Sequence, residues 1–337
     1  MANLRDIRRE AVLQAEILLA ELDVDPAGRV RVFDVIEDSG VWLNFEPLDK
    51  LYGWYQRVQD AAGVVINTSH PVPLQRFTAA HELGHHILGH SYSLDDARSI
   101  IDGGQGTDPN EVAAHTFAAN LLMPLAAVEF HLARHGFDRA HPSVGPVDVY
   151  QLSVELGVSY SAAIVQLASL NKISWNAVPN LRKARPLALK RQLVGRAPDY
   201  ARAAVWALTG SDDGRHLLVD TGDELHVRLD EIRSTGYRWS PTSTTLEGFT
   251  LIDDVLDPVD RNSQRRYGAT QIRHLVFKAV KPGKQSIVVD LRQAWNVESE
   301  PTSRFGVAID VEAPRISEVG RGVSLNQQPQ LMELMAA

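Results

Sequence analysis

His81-Glu82-Leu83-Gly84-His85 decides the reading of this chain. Two imidazoles four residues apart on a helix project from one face and can grip a single divalent ion. Phe77-Thr78-Ala79-Ala80 leads into the motif and Ile87-Leu88-Gly89 leads out of it. An apolar run without proline is therefore predicted to carry the histidines on a buried helix that stops near Gly89. Burial matters chemically, because a dry site strengthens ion–ligand attraction and controls the access of water.

A hydrolytic zinc site takes three protein ligands and keeps a fourth position for water. Glu111 is the candidate for the third ligand. It opens Glu111-Val112-Ala113-Ala114-His115-Thr116-Phe117-Ala118-Ala119-Asn120-Leu121-Leu122-Met123-Pro124, a second apolar helix with no internal proline. It follows His85 by 26 positions, enough for a loop and an antiparallel return. Residues 102–110, rich in Gly and Asp, supply that loop, with Asn110 the predicted N-cap. His86 is rotated about 100° from His85 and His90 lies beyond Gly89, so both read as supporting or surface residues rather than ligands. His115, one turn after Glu111, faces the same side and is a candidate for touching substrate or the reacting water. The competing reading is a non-catalytic helix pair with core histidines, or a site that binds metal without cutting.

Gln75-Arg76-Phe77-Thr78-Ala79-Ala80-His81-Glu82-Leu83-Gly84-His85, followed at this separation by a helix ending in Phe-Ala-Ala-Asn-Leu-Leu-Met-Pro, resembles the ImmA/IrrE family of metallopeptidases over residues 41–173. The resemblance implies an α+β zincin-like metallopeptidase domain in which His81, His85 and Glu111 bind Zn2+ and Glu82 is the catalytic base. It also implies a specific protein substrate, often a helix-turn-helix transcriptional repressor whose cleavage releases stress, phage or mobile-element genes. The family often has a second acidic residue two positions after the carboxylate ligand, where this chain has Ala113. A donor to polarise the scissile carbonyl is expected as well, and Tyr150, Tyr160 and His115 are candidates.

The 337 residues contain no cysteine, which removes disulfides, thiolate zinc sites and cysteine nucleophiles together. No apolar run approaches bilayer length and the first ten residues lack a signal-type core, so the cytoplasm is the expected location, with no membrane partner. The formal net charge of −8 argues against general nucleic-acid affinity. One basic stretch stands out: Lys172, Arg182, Lys183, Arg185, Lys190, Arg191, Arg196 and Arg202 face the single acid Asp199. Interrupted by Pro179, Pro186 and Pro198, it reads as a solvated connector, with contact to DNA through residues 146–202 the lesser alternative.

Along the chain, residues 4–22 read as an amphipathic helix and residues 31–36 as a second one. Strands are predicted at residues 41–45, 51–58 and 63–67. Residues 152–167 have the outline of a helix, a turn at Gly157 and a second helix capped by Ser159. That second helix has almost no basic or amide side chains for phosphates and base edges, so a structural or protein-recognition role is favoured over DNA binding.

Short apolar runs follow at residues 217–219, 224–229, 249–252, 274–280, 285–291 and 305–311, with turns at 220–223 and 281–284. Six or more short strands in about 110 residues suggest a β-sandwich. Ser234-Thr235-Gly236-Tyr237-Arg238-Trp239, Tyr267-Gly268-Ala269-Thr270 and Arg292-Gln293-Ala294-Trp295, in this order around those strands, resemble the chagasin family of immunoglobulin-like inhibitors of papain-type cysteine proteases. In that family the corresponding loops enter or flank a protease cleft, which implies a protein-binding end at Tyr237, Trp239, Gly268 and Trp295. The loop chemistry departs from the family: Ile232-Arg233 replaces Asn-Pro and Gln293-Ala294-Trp295 replaces Arg-Pro-Trp. Packing aromatics are the alternative for Tyr237, Trp239 and Trp295.

The expected architecture is an α+β zincin-like domain over residues 1–145, a helix-turn-helix-like segment over 146–178 and a basic connector over 179–202. An all-β immunoglobulin-like, chagasin-like sandwich follows over 203–315, with a tail over 316–337. The expected function is zinc-dependent cleavage of a specific protein, with the sandwich selecting the substrate or receiving a signal. The rivals are a cysteine-protease inhibitor and a non-catalytic DNA-binding regulator.

Overall fold

The computed structural model describes residues 3–25, 28–59, 61–90, 92–95, 108–135, 144–257, 270–293, 295–296 and 300–313. Two compact units divide the chain, the first ending at Ala184 and the second beginning at Arg185. No single helix among the described residues is long and apolar enough to cross a membrane.

The first unit surrounds helix α3 (Val72–Ile87). Pro71 and the proline at its second position set the entry, since proline tolerates the first turn of a helix. One side of α3 packs on β2 (Gly53–Val58) and β3 (Ala61–Asn67), the middle strands of a sheet ordered β1-β3-β2-β4, with β1 Trp42–Glu46 and β4 Tyr92–Asp95 at its edges. β1 runs parallel to β3, and β2 is antiparallel to both β3 and β4. Another side of α3 packs on α4 (Pro109–Leu122), which α1 (Leu4–Glu21) covers through buried Ala11, Ala15 and Leu18. Small residues on α1 and α4 let the backbones approach closely. Short α2 (Val32–Asp38) completes the layer against α3.

Helices α5 (Leu125–Arg134), α6 (Pro146–Leu156) and α7 (Tyr160–Ser169) follow. Gly157 takes φ +65° between α6 and α7, and the Ser159 hydroxyl accepts from the Ala162 N–H as an N-cap. Arg76 ties this turn to α3. It is fully buried, its Nε donates to Gly157 O at 3.0 Å, and its guanidinium also donates to Val30 O just ahead of α2.

The stretch over residues 179–202, expected as a solvated connector, is partly helical. It holds the end of a short helix, α8 (Val178–Leu181), and a full helix, α9 (Pro186–Val194), that starts the second unit. Lys190 is buried rather than solvated, because its ammonium donates to Ala201 O at 2.8 Å and to Ala203 O at 2.5 Å.

In the second unit β5 (Val205–Thr209), β7 (Glu224–Glu231), β10 (Gln271–Ala279) and β9 (Phe249–Leu256) form one sheet in that order. β6 (His216–Asp220), β12 (Ser303–Glu312), β11 (Gly283–Gln293) and β8 (Tyr237–Pro241) form the other. The period of two is plain on β12, where Phe305, Val307, Ile309 and Val311 are buried on one face, as Leu225, Val227 and Leu229 are on β7. Each sheet contains one parallel pair, β5 with β7 and β6 with β12. α10 (Ser243–Gly248) lies between β8 and β9.

A buried polar row lies on the other face of β7. His226 Nδ1 is 3.0 Å from His274 Nε2 on β10, and His226 Nε2 is 3.3 Å from Glu224 Oε2. Burial, reinforced by His274, pulls the His226 pKa from 6.5 down to about 4 against the opposing pull of Glu224. Between those values the unfolded chain binds the proton that the folded chain refuses. This contribution to stability is therefore complete above pH 6.5 and is lost as pH falls toward 4. Asp223, its carboxyl pushed up to about 7 by burial and by Asp220, works with the opposite sign and loses stability as pH rises from 3.8 through 7. Comparison with His226→Asn separates the two. Between pH 7 and pH 4.5 the unaltered chain is expected to lose roughly 2 kcal/mol more than the variant in calorimetric unfolding. Equal losses would reject the assignment.

Candidate metal centre

The three residues predicted as ligands come together. His81 and His85 sit one turn apart on α3, both buried, and Glu111 enters from the first turn of α4 with its side chain 25% exposed. His81 Nε2 lies 3.1 Å from His85 Nε2. Glu111 Oε2 lies 3.3 Å from the first nitrogen and Oε1 3.5 Å from the second. Donors held about 2.0–2.1 Å from a tetrahedral zinc stand roughly 3.3 Å from one another, close to the 3.1 Å between the two imidazole nitrogens and to the 3.3 and 3.5 Å by which each reaches its own oxygen of the Glu111 carboxylate. His81, His85 and Glu111 can each offer one ligand atom to a shared cation. The donor set, two neutral nitrogens and one carboxylate, suits zinc.

Local folding explains the placement. The N-cap of α4 is Asp108 rather than Asn110: its carboxylate accepts from the Asn110 N–H at 2.9 Å, and Pro109 occupies the first helical position, where no N–H is needed. Glu111 therefore falls in the first turn, where a carboxylate complements the helix dipole.

Gly84 sets the distance between the two helices. A Cβ there would stand 3.1 Å from Phe117 Cδ1 and 3.2 Å from Ala114 Cα and O. Gly84→Val is therefore expected to push α4 outward and carry Glu111 away from the imidazoles. Overpacking of this kind costs about 1–3 kcal/mol, so zinc affinity should fall by roughly tenfold or more, read by chelator competition. Undiminished affinity in the valine variant would show that the helix spacing is not what holds the donors together.

Glu82 is fully buried beside His81 on the same helix. His115 borders the cluster, its ring centroid 6.3 Å from that of His81 and 5.0 Å from that of Phe77. Of the other carbonyl-polarising candidates, Tyr160 is committed elsewhere, donating to Leu181 O at 2.9 Å, and Tyr150 is buried on α6. His86 points to the sheet, where its Nδ1 is 3.1 Å from the Tyr55 hydroxyl; burial, helped by Arg57, lowers its pKa. His90 contacts His85, their Nδ1 atoms 2.8 Å apart, which fits the supporting rather than the surface reading. Burial lowers the His90 pKa against the pull of Glu111 and Asp108.

In the sandwich the loop residues divide. Trp295 is 70% exposed and lies over Gly236, whose φ is +75° and whose Cβ, were one present, would stand 2.3 Å from Trp295 Cζ3. Tyr237 is half-buried and its hydroxyl accepts from Gln293 Nε2 at 3.1 Å. Trp239 takes the packing alternative: it lies on β8 opposite Leu291, is 7% exposed, and its indole N–H donates to Asp230 O at 2.8 Å. Gly268 lies outside the described residues.

Residues 36–168 match the family model of the IrrE N-terminal-like domain, Peptidase_M78. Residues 219–309 match the chagasin family of peptidase inhibitors, I42. Among solved structures, the chain is similar to the cysteine protease inhibitor EhICP2 from Entamoeba histolytica, with 23% identity over 32% of this chain and 96% of that one and a TM-score of 0.29. Amebosin shares 19% identity over 32% of this chain and 97% of its own, with a TM-score of 0.26. PbICP-C, solved in complex with falcipain-2, shares 16% over 33% and 90%, with a TM-score of 0.20. No curated protein matches the chain. One polypeptide thus joins a segment that matches the IrrE-like Peptidase_M78 model, and that carries the His81, His85 and Glu111 cluster, to a segment that matches the chagasin-family model.

Proposed function

We propose that the chain is a zinc-dependent endopeptidase of the cytoplasm that cuts one specific protein, a helix-turn-helix repressor being the favoured class, and that its β-sandwich selects the substrate or receives a signal. The observation that carries this reading is the convergence of His81 Nε2, His85 Nε2 and the Glu111 carboxylate beside buried Glu82. Zinc held by these three residues would supply Lewis acidity, lowering the pKa of water and polarising a carbonyl. Glu82 takes the proton of the attacking water as the new C–O bond forms, and delivers it to the amide nitrogen as the C–N bond breaks. His115, at the rim of the cluster, is placed to steady the charge that develops on the carbonyl oxygen. Burial of Glu82 and both histidines keeps bulk water from competing.

The test is incubation of the full chain with a repressor encoded beside it, with fragments identified by mass spectrometry. Defined fragments should appear, vanish on chelation and return when zinc is added back. Cleavage that persists after the metal is stripped would reject the reading.

A second reading is favoured by the exposure of Trp295 over Gly236: the sandwich binds a papain-type cysteine protease through this end. Titration of papain with the full chain decides it. Loss of papain activity at stoichiometric amounts supports inhibition, and full activity at excess rejects it.

A further inference from the structure

Helix α3 ends in a turn that brings one more imidazole back to the cluster. Gly89 takes φ +76°, a left-handed conformation that glycine adopts without strain and that commonly closes helices. The chain reverses there, and the His90 N–H donates to His85 O at 2.9 Å. That backbone bond sets His90 in register with His85, and the side chains meet as well. Their Nδ1 atoms are 2.8 Å apart, with ring centroids at 4.9 Å and planes inclined at 62°.

The chemistry of the ligand fixes the direction of this contact. His85 turns Nε2 toward His81 and Glu111, so an ion bound there needs the lone pair of that nitrogen. The proton of a neutral His85 must then sit on Nδ1, which leaves Nδ1 of His90 to accept it and places the proton of His90 on its own Nε2.

We propose that His90 is a positioning residue for the metal ligand His85, accepting a hydrogen bond from its Nδ1 and so fixing its tautomer and ring plane without touching ion or substrate. The inference rests on the reading of His81, His85 and Glu111 as ligands. Metal-bound histidines are ordinarily held this way by a carboxylate, a carbonyl or water, and loss of such a partner costs about 10–100-fold in affinity or activity. Here an imidazole takes that place, delivered by the helix cap, so metal affinity depends on how the chain turns at Gly89.

The experiment measures zinc affinity of the full chain by competition with a chromophoric chelator, together with the visible spectrum after Co2+ loading. The variants are His90→Leu, His90→Asn and His85→Ala. His90→Leu is expected to bind zinc about 10–100-fold more weakly and to shift the Co2+ bands. His90→Asn should restore affinity to within about threefold, since Asn Oδ1 falls near the position of the imidazole Nδ1 and can accept the same proton. A leucine variant that matches the unaltered chain, or an asparagine variant as weak as the leucine one, overturns the proposal. His85→Ala reads the site itself. If it loses zinc while His90→Leu keeps it, the ligand set stands and only the role of His90 fails. If it binds as tightly as the unaltered chain, or if the unaltered chain binds none, the ligand set is wrong and the role of His90 falls with it.

Discussion

Glu82→Gln is expected to slow cleavage by on the order of a thousandfold while zinc affinity stays unchanged, since general-base catalysis contributes about 10²–10⁴. The substitution keeps the length, shape and hydrogen-bonding reach of the side chain and removes only its capacity to take a proton. Because Glu82 is fully buried, no solvent species can replace it at that position. Because it lies one residue along the helix from His81, it is rotated about 100° out of the ligand face and should leave the donor set alone. Two measurements on the same preparation decide the matter: the rate of fragment formation and the zinc content after dialysis. Undiminished cleavage would remove Glu82 from the chemistry. Loss of zinc together with activity would move it into the ligand set.

Arg76→Met should lower the stability of the first unit by roughly 2–6 kcal/mol, the cost of leaving two buried acceptors without a donor. The guanidinium is fully buried and donates to Gly157 O and Val30 O, so it joins three segments that are distant in sequence. Methionine fills part of the volume but leaves both carbonyls without their donor, and each buried unsatisfied acceptor costs about 1–3 kcal/mol. Arg76→Lys keeps the charge but not the planar fork that reaches two carbonyls at once, so an intermediate loss is expected. Denaturant unfolding followed by helical ellipticity reports mainly on the first unit, where most of the helix lies. A midpoint unchanged in the methionine variant would show that these contacts contribute little.

The convergence of the candidate ligands was legible in the sequence because its determinants are local. Two imidazoles four apart need only a helix to converge, and the apolar run from Phe77 to Leu88 ensures one. Glu111 was legible for the same reason, since its place at the start of a second apolar helix is a matter of near neighbours. The strand runs of the second half also stood out, because alternation with period two is a short-range signal, clearest on β12.

What stayed hidden depends on partners far along the chain. Arg76 reads as an ordinary basic residue until the turn 81 positions later presents the carbonyl of Gly157. Lys190 looked solvated for the same reason, its partners being backbone oxygens that composition does not reveal. The His226 and His274 pair spans 48 positions and two strands. For Trp239 the sequence leaves packing and partner binding open, because β8 is only five residues long and its burial follows from pairing with β11. For His90 the sequence leaves a supporting and a surface role open, because only the left-handed turn at Gly89 brings it back to His85.

The contact at Gly84 gives the site a one-sided tolerance. With glycine facing the backbone of Ala114 and the ring of Phe117, the two helices leave no room for even one more carbon at this crossing. Random substitution along this seam can therefore widen the gap between donors but can scarcely narrow it. Variants selected for altered ion preference should drift toward larger cations, and a smaller one would demand a different pair of rods.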